Sequence, residues 1–174
     1  MMLPQFDTSD NVIYIWMHVG VSQVGHASLR LSNDEYVSWW PQEGTSKCGF
    51  MKKRNKCNGS LQDDIREEGM DPDYTFNIPS THLDLVKMTT YWNQQKSTGH
   101  YSLLDQNCCW VVYHVLHAGG APMSQTILWR PETLRRYLVI YLGGGSSFRA
   151  YLNMPTFDSF FQRENHFVHM EGPR

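Results

Sequence analysis

The sequence predicts an α+β fold in which an antiparallel sheet packs on a central helix. Three observations lead there. Runs of β-branched and aromatic residues open the chain, and helix start and stop signals crowd its second half. Between these, Asn107-Cys108-Cys109 stands where a turn enters an apolar helix.

Taken in order, "NVIYIWMHVG" (Asn11 to Gly20) reads as a strand buried on at least one face. "VSQVG" is a loop. "HASLRL" (His26 to Leu31) alternates, with Ala27, Leu29 and Leu31 on one face and His26, Ser28 and Arg30 on the other. "SNDE" is a turn cluster, and "YVSWW" (Tyr36 to Trp40) is the next strand, stopped by Pro41. If Val37 and Trp39 join the apolar face, Tyr36, Ser38 and Trp40 share the face of His26. The turn length leaves that register open.

Residues 41–72 read as irregular, with Lys47, Lys52, Lys53, Arg54 and Lys56 clustered between Cys48 and Cys57 and the acidic run "DDIREE" after them. "DYTFNIP" (Asp73 to Pro79) is a further strand. Thr81 and Asp84 form a capping-box pattern that opens a helix to about Ser97, which Gly99 ends. "YSLL" is a short extended piece. Asn107 caps a helix from Cys108 to about Ala118, closed by Gly119-Gly120. Pro131, with Glu132 beside it, starts a last helix through about Leu142. "GGGSS" reads as a hinge. Residues 1–147 are expected to form one domain, with the aromatic tail 148–174 docked on it.

The composition narrows the function. A length of 174 residues suits one core, and a net charge of -2 argues against general affinity for nucleic acid or anionic membrane. No stretch approaches the roughly 18 apolar residues needed to cross a bilayer. No secretory signal is visible, so the expected location is cytoplasmic as synthesised, or outside by a signal-independent route. The four cysteines do not read as a disulfide framework, and the spacing of Cys48 and Cys57 is not that of a zinc site. No metal or cofactor is expected.

The chemistry points to Cys108. A helix start offers unpaired N–H groups and the positive end of the macrodipole, which stabilise a thiolate and then an oxyanion. Cys109, one step deeper, reads as core. The alternative for Cys108 is the same bland role. Among the histidines, His26 begins a strand on its less apolar face and is the favoured base, with His18, His114 and His117 as alternatives. His114 and His117 share the helix of Cys108 but lie about two turns or more from its start.

The early "GHASLRL" strand, the following "YVSWWP" strand and the late "NC" at a helix start resemble the circularly permuted papain-like fold, the group of NlpC-type peptidases and lecithin:retinol acyltransferase-like enzymes. The resemblance spans roughly Val12 to Leu142. It implies that His26 is the general base, Cys108 the nucleophile and Ser38 the third, orienting residue. A hydroxyl departs from the His, Asn or acid usual at that position, so a Cys-His dyad is the other form. Gln23, Trp40 and Asn107 are expected on the oxyanion or substrate side.

The function this implies is a thiol peptidase or amidase acting on a peptide, a protein or a peptidoglycan stem. A bacterial toxin or effector would suit such a chain. A thiol acyltransferase, a phospholipase or a deamidase on the same fold is the alternative, and a non-catalytic binding module is the third class.

Overall fold

The computed structural model describes residues 10–17, 24–42 and 53–142. Its centre is β1 (Asn11–Trp16), where Val12, Ile13, Ile15 and Trp16 are all buried. β1 pairs antiparallel with β2 (His26–Arg30) on one side and β6 (Tyr74–Ile78) on the other. β3 (Tyr36–Ser38) pairs antiparallel with β2, giving the order β3-β2-β1-β6. The β2–β3 register sets Leu29 opposite Val37 and Ser28 opposite Ser38. Because strand side chains alternate, this gathers Ala27, Leu29, Leu31, Val37 and Trp39 into the core. His26, Ser28, Tyr36, Ser38 and Trp40 are left to the other face.

The strand expected from Tyr36 to Trp40 divides at Trp39. Trp40–Pro41 forms β4, which leaves the main sheet to pair with β5 (Asn55–Lys56). The first strand ends at Trp16; residues 18–20 of its expected span lie outside the described residues, as do the hinge 143–147 and the tail 148–174.

The apolar face is covered by α3 (Cys108–Ala118), which packs on β2 and β3 and carries α2 (Leu85–Thr98) on its flank. Val111, Val112, Val115 and Leu116 of α3 meet Met88 and Trp92 of α2 in one cluster with the sheet residues. Asn107 caps α3 as expected, accepting from Trp110 N at 3.0 Å. α4 begins at Pro131, runs to Tyr137 and continues as a wider turn over Leu138–Leu142.

Two expectations are corrected. α2 does not open at Thr81. Ser80–His82 is a separate 3₁₀ turn, Leu83 is extended, and Asp84 itself caps the helix through a 3.1 Å bond from Lys87 N. Residues 41–72 are not irregular throughout, since Leu61–Glu68 form a helix, α1. Ser60 caps its start and Gly69, at φ 75°, takes the left-handed position at its end. Its sequence hid it because its apolar signal is confined to Leu61 and Ile65, both half-buried, while its one fully buried side chain is the acid Asp64.

Candidate active site

His26 opens β2 directly after Gly25, whose φ of 72° turns the chain into the strand where a side chain would be strained. The imidazole is fully buried. The ring of Trp40 lies 4.3 Å from it and that of Trp16 5.4 Å, centre to centre. Nε2 lies 3.2 Å from Asp64 Oδ2 and 3.4 Å from Ser38 Oγ.

Asp64 is the residue that sequence reasoning missed. It stood inside "DDIREE", which reads as a solvated acidic run, and on the observed helix it is the one residue turned fully inward. Five donors converge on it. Oδ1 accepts from Ser38 Oγ at 2.7 Å, Trp40 Nε1 at 2.9 Å and Asn58 Nδ2 at 2.9 Å. Oδ2 accepts from Tyr36 Oη at 2.8 Å and faces His26 Nε2. Since Tyr36 donates to the carboxylate, the 2.7 Å contact between Ser28 Oγ and Tyr36 Oη has the serine as donor. The signal that could have found Asp64 is the cap pattern of Ser60 to Gly69, which makes "DDIREE" helical and sends one of its acids to the body.

The electrostatics follow from this crowding. Burial alone would strip the proton from His26. The charge of Asp64 more than reverses that, aided by Cys108, and the imidazole keeps its proton up to about pH 9. Burial alone would neutralise Asp64, but the charge of His26 and the bonds from His26, Ser38 and Asn58 hold its carboxyl well below the usual range. Burial, then the charge of Asp64, pushes the Tyr36 phenol up and keeps it a neutral donor.

Cys108 is the first residue of α3 and is 5% exposed. It lies near enough to the imidazole to help hold the proton on His26. Nε2 is taken by Asp64, while Nδ1 is buried and makes no hydrogen bond of strict geometry among the described residues. Nδ1 is therefore the ring nitrogen that the carboxylate leaves disengaged. Catalytic contacts are often loose before substrate arrives. The three groups come from three separate elements, β2, α1 and α3.

The other expected site residues are distributed as follows. Ser38 sits in the cluster, but its hydroxyl donates to Asp64, and the closer partner of His26 is the carboxylate. Trp40 walls the imidazole and donates to both Ser38 Oγ and Asp64 Oδ1. Asn107 is committed to the fold: its Oδ1 caps α3 and its Nδ2 donates to the carbonyls of Leu103 and Trp129, each at 2.8 Å. Those bonds use both of its amide N–H donors. Gln23, His18 and Cys48 lie outside the described residues.

Cys109 is buried in the core cluster, as expected. His114 lies against Trp110 and Tyr91, away from this site, and burial with the charge of His117 lowers its pKa to about 4. Lys56 is ion-paired with Glu67 of α1, which accounts for one member of the basic cluster. Among the described residues no group of three or more His, Cys, Asp or Glu side chains is disposed to hold a metal ion. No helix among them is long and apolar enough to cross a membrane.

Fold and site together define a class: an α+β domain in which an antiparallel sheet and a helix start bring a cysteine to a buried His–Asp pair. The IcsB middle domain family matches residues 5–78 and 50–139, and the chain belongs to that family. Neither curated proteins nor solved structures yield a match.

Proposed function

We propose that the protein is a thiol-dependent acyl-transfer enzyme that cleaves an amide bond, with Cys108 as nucleophile, His26 as acid and base, and Asp64 as the group that orients His26. The observation that carries this is a cysteine at a helix start beside a buried imidazole whose Nε2 is held by a buried carboxylate. The permuted papain-like resemblance supports the same assignment, and a role as a secreted bacterial effector fits membership of the IcsB middle domain family.

The protonation state refines the expected mechanism. At neutral pH His26 already holds its proton, so it meets the reaction as an imidazolium able to stabilise a thiolate rather than as a neutral base. The thiolate attacks the acyl carbon, and the positive end of α3 favours the negative charge passed to the carbonyl oxygen. As the tetrahedral intermediate collapses, the C–N bond breaks and His26 gives its proton to the leaving amine. A water then loses a proton to neutral His26 and attacks the thioester. The acid departs, the sulfur leaves as thiolate, and the imidazolium is restored. Asp64, held ionised, keeps Nε2 protonated so that Nδ1 alone exchanges the proton.

A second reading shares the first half-reaction. In this reading an amine or alcohol, rather than water, gives its proton to neutral His26 and takes the acyl group from the thioester. The enzyme is then an acyltransferase.

The test is labelling by iodoacetamide at neutral pH, followed by intact mass with acyl donors. Labelling of Cys108 at least about tenfold faster than a free thiol, lost in Cys108→Ala, His26→Ala and Asp64→Asn but kept in Cys109→Ala, supports the site. Labelling no faster than a free thiol makes the protein a binding module. Acyl release to water or to an added amine then separates hydrolase from transferase.

A further inference from the structure

α1 presents an unusual docking arrangement. Asp64 is its one fully buried side chain, and its apolar contribution to docking comes from Leu61 and Ile65, both only half-buried. Its neighbours Asp63, Glu67 and Glu68 are charged, and its outer contacts are exposed ion pairs such as Lys56–Glu67 and Arg66–Asp63. What it meets is a set of donors carried by strands of the main sheet and of the small β4–β5 sheet. Tyr36 and Ser38 stand on β3, Trp40 on β4 and His26 on β2. Their O–H and N–H groups reach Asp64 at 2.8, 2.7, 2.9 and 3.2 Å. Asn58, in the segment entering α1, adds one more at 2.9 Å.

We propose that Tyr36, Ser38 and Trp40 are positioning residues that form, with His26 Nε2, a preformed receptor for one carboxylate, and that α1 docks by filling it with Asp64. The same five-donor contact that orients His26 thus also anchors the helix. The inference deepens the thiol-enzyme reading, yet its readouts need neither turnover nor Cys108. Each donor has its own support. Ser28 feeds Tyr36 at 2.7 Å, and Trp40 Nε1 is shared between Ser38 and Asp64. Ionisable groups around the receptor are few: Cys108 from α3 acts on His26, Tyr36 from β3 touches the carboxylate, and Tyr14 of β1 acts on Tyr36.

A free carboxylate should therefore replace the tethered one. The experiment uses the full chain with Asp64→Ala, read by the NMR titration of His26 and by hydrogen exchange of residues 61–68. Without added anion, the His26 midpoint should fall from about 9 to near or below its ordinary 6.5, and α1 protection should drop at least about tenfold while β1 and β6 keep theirs. Formate, against chloride at equal ionic strength, should raise the midpoint again by at least about one unit without restoring α1, because formate is not tethered to the helix. Tyr36→Phe and Trp40→Phe should each weaken the formate effect in the Asp64→Ala background. Unchanged α1 protection in Asp64→Ala overturns the anchoring, and a His26 midpoint indifferent to formate overturns the receptor. Should Asp64→Ala not fold, Asp64→Asn, close in size, is read for α1 exchange alone, with the same deciding outcome. Either result holds in Cys108→Ala as well, so a failed labelling test and a failed receptor are told apart.

Discussion

The two faces of the sheet are closed by different physics. On one face, Leu29, Leu31, Val37 and Trp39 meet the valines and Leu116 of α3, all buried without a charge among them. On the other, a single carboxylate from α1 meets five donors. Apolar packing is non-directional and adds up over area. The charged contact depends on angle and on every partner being in place. The apolar face fixes where the strands and α3 lie, and the polar face fixes where one imidazole points.

The largest effects should come from emptying each face in turn. Asp64→Ala leaves a buried imidazole and several donors without their acceptor and should cost about 3–5 kcal/mol, together with the fast labelling of Cys108. Leu116→Ala, at a fully buried position, should cost about 2–5 kcal/mol by chemical denaturation while leaving the His26 titration where it is. A shift of that titration in Leu116→Ala would mean the two faces are not separable.

Acidity sharpens the contrast. The folded His26 holds its proton to about pH 9 against an ordinary 6.5, so its contribution is complete below 6.5 and is lost as pH rises through about 9. The Asp64 carboxyl is depressed, so its contribution exists above the ordinary carboxylate range and fades as pH falls. Stability should therefore be greatest on the mildly acidic side of neutrality. It should decline by on the order of 3 kcal/mol toward alkaline pH, measured as denaturation midpoints from pH 6 to 10. Leu116→Ala should show the same slope, and Asp64→Asn a much flatter one. Labelling of Cys108 should lose its imidazolium-assisted component above about pH 9.

Asn107→Ala should cost about 2 kcal/mol, by loss of a helix cap and of two donors to the carbonyls of Leu103 and Trp129. Thermal melts would check it. The smallest effect belongs to Lys56→Ala, which breaks a half-exposed pair with Glu67 and should cost no more than about 1 kcal/mol. A larger loss, or release of α1, would shift the anchoring of that helix from Asp64 to its surface.

Part of the first face could be read from sequence, because alternation sorts the side chains within "HASLRL" and within "YVSWW", while the turn length left open which set of one strand joins which set of the other. The cap at Asn107 and the Gly119-Gly120 stop were equally local signals and define α3 as expected. Thr81 misled because Pro79 and an extended Leu83 break the chain before Asp84 starts the helix.

Sequence alone, then, determined the α+β class, the alternation within β2 and within β3, and the standing of Cys108 at a helix start, since each depends on residues a few positions apart. Only the tertiary structure decided that Asp64 is the partner of His26 and that the hydroxyl of Ser38 serves the carboxylate. The reason is that such a pairing joins residues 38 positions apart through a helix whose one fully buried side chain is charged. Burial, which turns one acid of "DDIREE" from a solvated charge into a fixed one, is a property of the packed chain and not of any window along it.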